Sequence, residues 1–174
     1  LTKKEIFNII SNMKNNIEKI RLLIERASNL AEQEGLGNIF YNEQYVEVLA
    51  ASILGHTYNP GQGEDANNNG DKFEYKSINL ANKSKGTFQF HWLSKEKLEK
   101  YSKIKYFFFI LRKNASIEKI YRLKGSAILD DLFLIAKKKG TLDGSKKIHA
   151  HKSFSLSTIL KKGAILVYDR KNNI

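Results

Sequence analysis

Cysteine is absent from this chain, which excludes disulfides and cysteine-ligated zinc and fits a reducing cytoplasm. Proline occurs once, in HTYNPGQG, and no Pro/Ser-rich linker or internal repeat divides the 174 residues. With 41% hydrophobic content, that length suits one domain with one sizeable core. No apolar run reaches the roughly 20 residues that a membrane span needs, and the opening LTKKEIFNII lacks the layout of a signal peptide. The expectation is a soluble cytoplasmic protein that does not engage a membrane. Acidic residues are scarce as well: 18 Asp and Glu face 30 Lys and Arg, a formal net charge of +12. Such an excess favours a polyanionic partner through phosphate neutralisation and counterion release. A Lys-rich composition kept for solubility shows the same balance, and so does an RNA-binding protein, although no RNA-module motif is present.

Against this background one stretch stands out, Gly61 to Asn79, GQGEDANNNGDKFEYKSIN. KFEYKSINL has the aromatic and β-branched content of a strand. Side chains two apart on a strand share a face, so Glu74 and Lys76 point the same way. The polar run from Asn67 to Asp71 is long enough to turn the chain and bring Asp65 to them, in a turn and strand expected to face solvent. Two carboxylates and an amine then converge. Asp65 and Glu74 are hard oxygen donors suited to Mg²⁺, which takes one or two carboxylates and completes its shell with water and phosphate. Lys76 beside that phosphate is placed to orient or help deprotonate the attacking water, or to stabilise the transition state. An E-x-K pair on an exposed strand is also an ordinary ion pair, so the trio by itself leaves both readings open.

The pattern D-x4-G-x3-E-x-K-S, carried by Asp65, Gly70, Glu74, Lys76 and Ser77, resembles the active-site motif of the PD-(D/E)XK nuclease superfamily. Several further blocks in the same order, GLGNIF, EDA, KG followed by His91, FFILRKNASIEKIYRL and DGSKKI, resemble a type II restriction endonuclease of the PvuII kind. Glu64 stands before Asp65, and the Asp65 to Glu74 spacing is one residue shorter than the family pattern. The resemblance implies an α/β fold with a restriction-endonuclease-like mixed central sheet flanked by helices, and an N-terminal helical dimerisation region. It implies Mg²⁺-dependent hydrolysis of double-stranded DNA at a short palindrome by a homodimer, leaving 5′-phosphate ends. Asp65 and Glu74 would hold the metal, Lys76 would assist the water and Tyr101 matches an active-site tyrosine. A cognate DNA methyltransferase is implied functionally, not as a binding partner. Alternatives are a structure-selective repair or junction nuclease with the same trio, and a non-catalytic basic DNA-binding protein.

Along the rest of the chain, Ile6, Ile10, Met13, Ile17, Ile20, Ile24, Ala27 and Ala31 alternate four and three apart, the heptad spacing of a helix with a narrow apolar stripe. One long helix, or two broken near Asn15 and Asn16, follows from this. The stripe serves either the domain's own core or a dimer, and the resemblance favours the dimer. Residues 1–34 are therefore read as a helical dimerisation region and residues 35–174 as the nuclease core. Asn42 is positioned to cap the next helix, and in the family that position approaches the minor groove. In TFQFHW, His91 falls on the face opposite Phe88 and Phe90, and it matches a family histidine that enters the major groove, where a ring N–H can donate to guanine. KYFFFILRKNASIEKIYRL reads as two core strands. The segment Ile128 to Ala136 reads as a helix with Leu129, Leu132 and Leu134 inward, stopped by Gly140. Finally, His149 and His151 share a face of an extended segment flanked by Lys146, Lys147 and Lys152. A His-x-His metal site lacks a third strong donor nearby. Where the family places asparagines in the major groove, one of them reading adenine, this chain has these histidines, which suit guanine and point to a G·C-rich target.

Overall fold

The computed structural model describes residues 3–60, 63–82, 86–142 and 150–172, with side chains described from residue 16 onward. It divides into two compact units, Leu1–Gln44 and Tyr45–Ile174. In the first, the heptad run forms one helix, α1 (Lys3–Gln33), continuous through Asn15 and Asn16. Ile17, Ile20 and Ile24 remain 64%, 56% and 49% exposed in the single chain. A 3-10 turn follows at Tyr41–Glu43. Asn42 is not the expected helix cap: its φ of 48° lies in the left-handed region, whereas a capping residue needs extended backbone to aim its side chain at the first-turn amides. Asn tolerates the left-handed region better than most residues, which accounts for its use in that turn.

The second unit is built from α2 (Gln44–Leu54), β1 (Thr57–Tyr58), β2 (Ala66–Asn68), β3 (Asp71–Asn79), β4 (Phe88–Phe90) and α3 (Lys95–Tyr101). Then come β5 (Tyr106–Lys113), β6 (Ser116–Lys124), α4 (Ser126–Lys139), β7 (Lys152–Phe154), α5 (Leu156–Lys161) and β8 (Ile165–Asp169). Six strands form a mixed sheet in the order β1-β2-β3-β5-β6-β8, and within it only β3 and β5 pair in parallel. A parallel pair needs a crossover, here supplied by β4 and α3. Strand β5 is buried on both faces from Phe107 to Arg112, which is why its sequence is an unbroken apolar run. Phe107, Phe109 and Leu111 pack with Leu98 of α3, Leu132 of α4 and Ile159 of α5. Phe108 and Ile110 pack on the other side with Val46, Ala50 and Ala51 of α2. The sheet is thus covered by helices on both faces, the α/β architecture expected.

In α4 the inward residues are Ile128, Leu132 and Ala136, spaced four apart, while Leu134 is 65% exposed. The expectation that Leu134 points inward is corrected: two residues turn a helix by about 200°, so Leu132 and Leu134 cannot share the buried stripe. Strands β1 and β2, too short to show a strand pattern in the sequence, extend the sheet beyond β3. β2 joins β3 through Asn69 and Gly70, with φ of 50° and 85°. A two-residue hairpin turn with both residues left-handed matches strand twist and takes Asn-Gly readily. Strands β4 and β7 form a separate two-stranded antiparallel ribbon.

Candidate active site

Alternation along β3 sends Phe73 and Tyr75 into the α2 side of the sheet and turns Glu74 and Lys76 toward α3. Lys76 Nζ pairs with Glu74 Oε1 and donates to the Tyr75 carbonyl at 3.0 Å. Asp65 lies one residue before β2. Its N–H donates to Phe73 O at 3.0 Å, and its carboxylate accepts the Tyr75 N–H at 2.6 Å. The ladder continues past β2 by one residue and then passes to a side chain, so the hairpin register itself holds Asp65 beside Glu74. Tyr101, buried in the last turn of α3, donates its hydroxyl to Glu74 Oε1 at 3.3 Å. On the far face of β3, the Tyr75 hydroxyl meets His56 Nδ1 at 2.8 Å, tying the strand to the loop after α2.

All four candidate catalytic residues therefore converge, but the expected solvent-facing setting is corrected. Glu74 is only 6% exposed and Lys76 is half-buried, because α3 and Phe90 of β4 close over that face of the sheet. Burial, followed by the neighbouring Glu74 charge, raises the Asp65 carboxyl well above the usual carboxylate range. Burial opposes the charge on Lys76, but Glu74, Tyr101 and Asp65 outweigh it and hold the ammonium above its ordinary value. Glu47 of α2 adds a third negative charge felt by Asp65, and burial lifts its own carboxyl.

Two neighbouring, poorly solvated carboxylates, one of them paired with a lysine, fit a divalent cation, which would relieve their mutual repulsion. Among the described residues no group of three or more His, Asp or Glu side chains is placed to hold a metal. The protein would thus offer Asp65 and Glu74, the one or two carboxylates that Mg²⁺ takes beside water and phosphate. A cleft of about 420 Å³ opens over them, lined by Gly63, Asp65, Glu74, Trp92, Lys97 and Tyr101 among others. It is open enough to admit a phosphate from outside. A family model for restriction endonuclease PvuII matches residues 12–168. The chain belongs to that family. No curated protein sequence gave a match.

This type II restriction endonuclease is thereby a site-specific deoxyribonuclease, of a family that binds double-stranded DNA. No helix among the described residues is long and apolar enough to cross a membrane. Its ribbon pairs Phe88 with Phe154, Gln89 with Ser153 and Phe90 with Lys152, so the next pair outward is His91 with His151. The two rings meet Nδ1 to Nδ1 at 3.1 Å and are exposed. Burial and then the neighbouring His151 lower the His91 imidazole below its ordinary value. Gln89 and Ser153 lie on the same exposed face. The Gln89 amide is engaged within the ribbon, donating to Thr87 at 2.5 Å and accepting from Ser153 at 2.8 Å. Lys152 is on the other face, its Nζ 5.4 Å from the Phe154 ring centre. Lys146, Lys147 and His149 lie outside the described residues. Sequence reading had missed Trp92, Lys97 and Glu47 near the site. Only Trp92 carried a local signal, as the chain's one tryptophan directly after His91.

Proposed function

We propose that the enzyme hydrolyses DNA phosphodiesters in both strands of a short palindrome with Mg²⁺, leaving 5′-phosphate and 3′-hydroxyl ends. The observation that carries this reading is the convergence of Asp65, Glu74 and Tyr101 at one cleft, with Lys76 paired to Glu74 beside it. Bound Mg²⁺ supplies charge neutralisation at the phosphate and a water of lowered pKa. Lys76 orients the attacking water by hydrogen bonding, and its positive charge offsets the negative charge gathering on the phosphate. Water oxygen bonds to phosphorus and releases its proton to solvent, the bond from phosphorus to the 3′-oxygen breaks with its electron pair, and that oxygen takes a proton from solvent. Tyr101 holds the Glu74 carboxylate in place.

For the target we propose a site whose contacted pairs are G·C, of the GCNGC type, with a central pair that is not read. When His91 and His151 are both neutral, their Nδ1 to Nδ1 bond makes one ring the donor and the other the acceptor. The two Nε2 atoms then present one donor and one acceptor, matched to guanine O6 or N7 and to the cytosine amino group. The resemblance puts the segment of His149 in the same groove and Asn42 at the minor groove, and the charge of Lys146, Lys147 and Lys152 beside the histidines suits them to phosphates. Digesting a plasmid of known sequence with Mg²⁺, against a chelator control, and sequencing the fragment ends tests the reading directly. Discrete ends at one G·C palindrome are expected, with about 1–3 kcal/mol of discrimination lost at one base pair in His91→Ala. A required A·T pair at a fixed position would overturn the histidine assignment.

We also propose residues 1–34 as the dimerisation region and residues 35–174 as the nuclease core, with the exposed α1 stripe as the interface. Two-fold symmetry matches a palindrome. Ile17→Asp combined with Ile20→Asp is expected to give a monomer in sedimentation and to reduce double-strand cutting to nicking or nothing. An intact dimer would place the interface elsewhere.

A further inference from the structure

We infer that Lys97 is a second catalytic cation of this endonuclease, binding a non-bridging oxygen of the phosphate that is cut. Lys97 lies in the first turn of α3, behind the Ser94 cap, and lines the same cleft as Asp65, Glu74 and Tyr101. Its side chain is half-buried, and its Nζ lies 5.6 Å from the centre of the Tyr101 ring, the residue whose hydroxyl touches Glu74. No carboxylate stands within ion-pair distance of it among the described residues. Its helix neighbour Lys100, by contrast, pairs with Glu96 at 3.4 Å, and Lys76 pairs with Glu74.

The balance of this placement works against an unliganded cation. Burial and the like charge of Lys76 depress its ammonium below the ordinary lysine value, outweighing the attraction of Glu74 and Asp65. The first turn of a helix favours anions over cations. The Tyr101 ring compensates only in part, since such a contact is worth about 0.5–1 kcal/mol at exposed sites. A phosphate oxygen in the cleft supplies the missing acceptor and counter-charge. Charge accumulates on the non-bridging oxygens as water adds and the bond to the 3′-oxygen breaks, so the contact strengthens in the transition state. Lys76 and Lys97 then divide the work: the first is held against Glu74 for the water, and the second is free for the phosphate.

The inference rests on the nuclease reading above, and the test separates the two. Single-turnover cleavage at saturating enzyme is measured on a duplex bearing the mapped site, with binding measured separately in the presence of a chelator. Lys97→Met keeps the stem that packs at Tyr101 and removes the charge, Lys97→Arg restores a charge, and Lys95→Met on the exposed side of α3 is the control. The expected result is a rate loss of about 100-fold in Lys97→Met, with duplex affinity changed less than about threefold. Lys97→Arg should recover at least about a tenth of the rate, and Lys95→Met should match wild type. Melting temperatures within a few degrees of wild type exclude a folding defect, and if Lys97→Met melts early, the recovery in Lys97→Arg decides. A Lys97→Met rate within about twofold of wild type overturns the inference while leaving the nuclease reading intact. So does a loss that saturating enzyme restores. A wild-type protein that cuts no duplex with Mg²⁺ overturns both.

Discussion

Replacing Lys76 by alanine, or Asp65 by asparagine, is expected to give a protein that still binds duplex DNA and cuts it at least about 10²–10³-fold more slowly. Lys76 holds its charge through Glu74, and its ammonium also grips the Tyr75 carbonyl. Alanine removes the group proposed to face the phosphate and, among the described residues, leaves the buried Glu74 bonded to Tyr101. A stability cost therefore accompanies the loss of Lys76, of the order of a few kcal/mol expected for a broken buried pair, and melting must be measured alongside cleavage. Asp65→Asn is the cleaner variant. Its amide oxygen can still accept the Tyr75 N–H that now bonds the carboxylate at 2.6 Å, so the hairpin register is preserved while the negative charge proposed to hold the metal is lost. Removing a carboxyl held well above its usual range by burial and Glu74 also relieves repulsion, so Asp65→Asn should melt no earlier than wild type. Wild-type cleavage rates in either variant would exclude the proposed mechanism.

Phe90→Ala should have the largest effect on stability, a loss of about 3–5 kcal/mol in denaturant unfolding. The side chain is fully buried where the ribbon meets the catalytic face of the sheet. Its ring lies 5.8 Å from Tyr101, 5.5 Å from Phe107 and 5.5 Å from Phe154, with Lys76 Nζ 5.7 Å from its centre. The cavity left by alanine would loosen α3, β7 and the lysine together, so cleavage should fall with stability even in variants assayed well below their melting temperature. Leu134→Ala, at an exposed position of α4, should change stability by less than about 0.5 kcal/mol. An unfolding midpoint for Phe90→Ala close to that of Leu134→Ala would mean that the ribbon is not part of the core.

Sequence alone determined whatever depends on the geometry of one element and its turn. Period two along β3 put Glu74 and Lys76 on one face, and Asn69-Gly70 closed the hairpin that returns Asp65 to them. The unbroken apolar run of β5 announced a strand covered on both sides, and Ser94 and Gly140 marked helix ends. Charge excess pointed to a polyanion before any motif was considered. Tertiary structure decided what lies between elements far apart in the chain. The apposition of His91 and His151, separated by 60 positions, follows from a register set by Phe88 and Phe90 packing with Phe154, and no local pattern encodes that register. Nothing local to SKEKLEKYSK sets Lys97 apart from Lys95 or Lys100, and only the packing of α3 over β3 brings it to the cleft beside Glu74. Glu74 and Lys76 were legible as neighbours, but their burial was not. Alternation along a strand fixes which side chains share a face, whereas the elements that come to cover that face are chosen by the packing of the whole core.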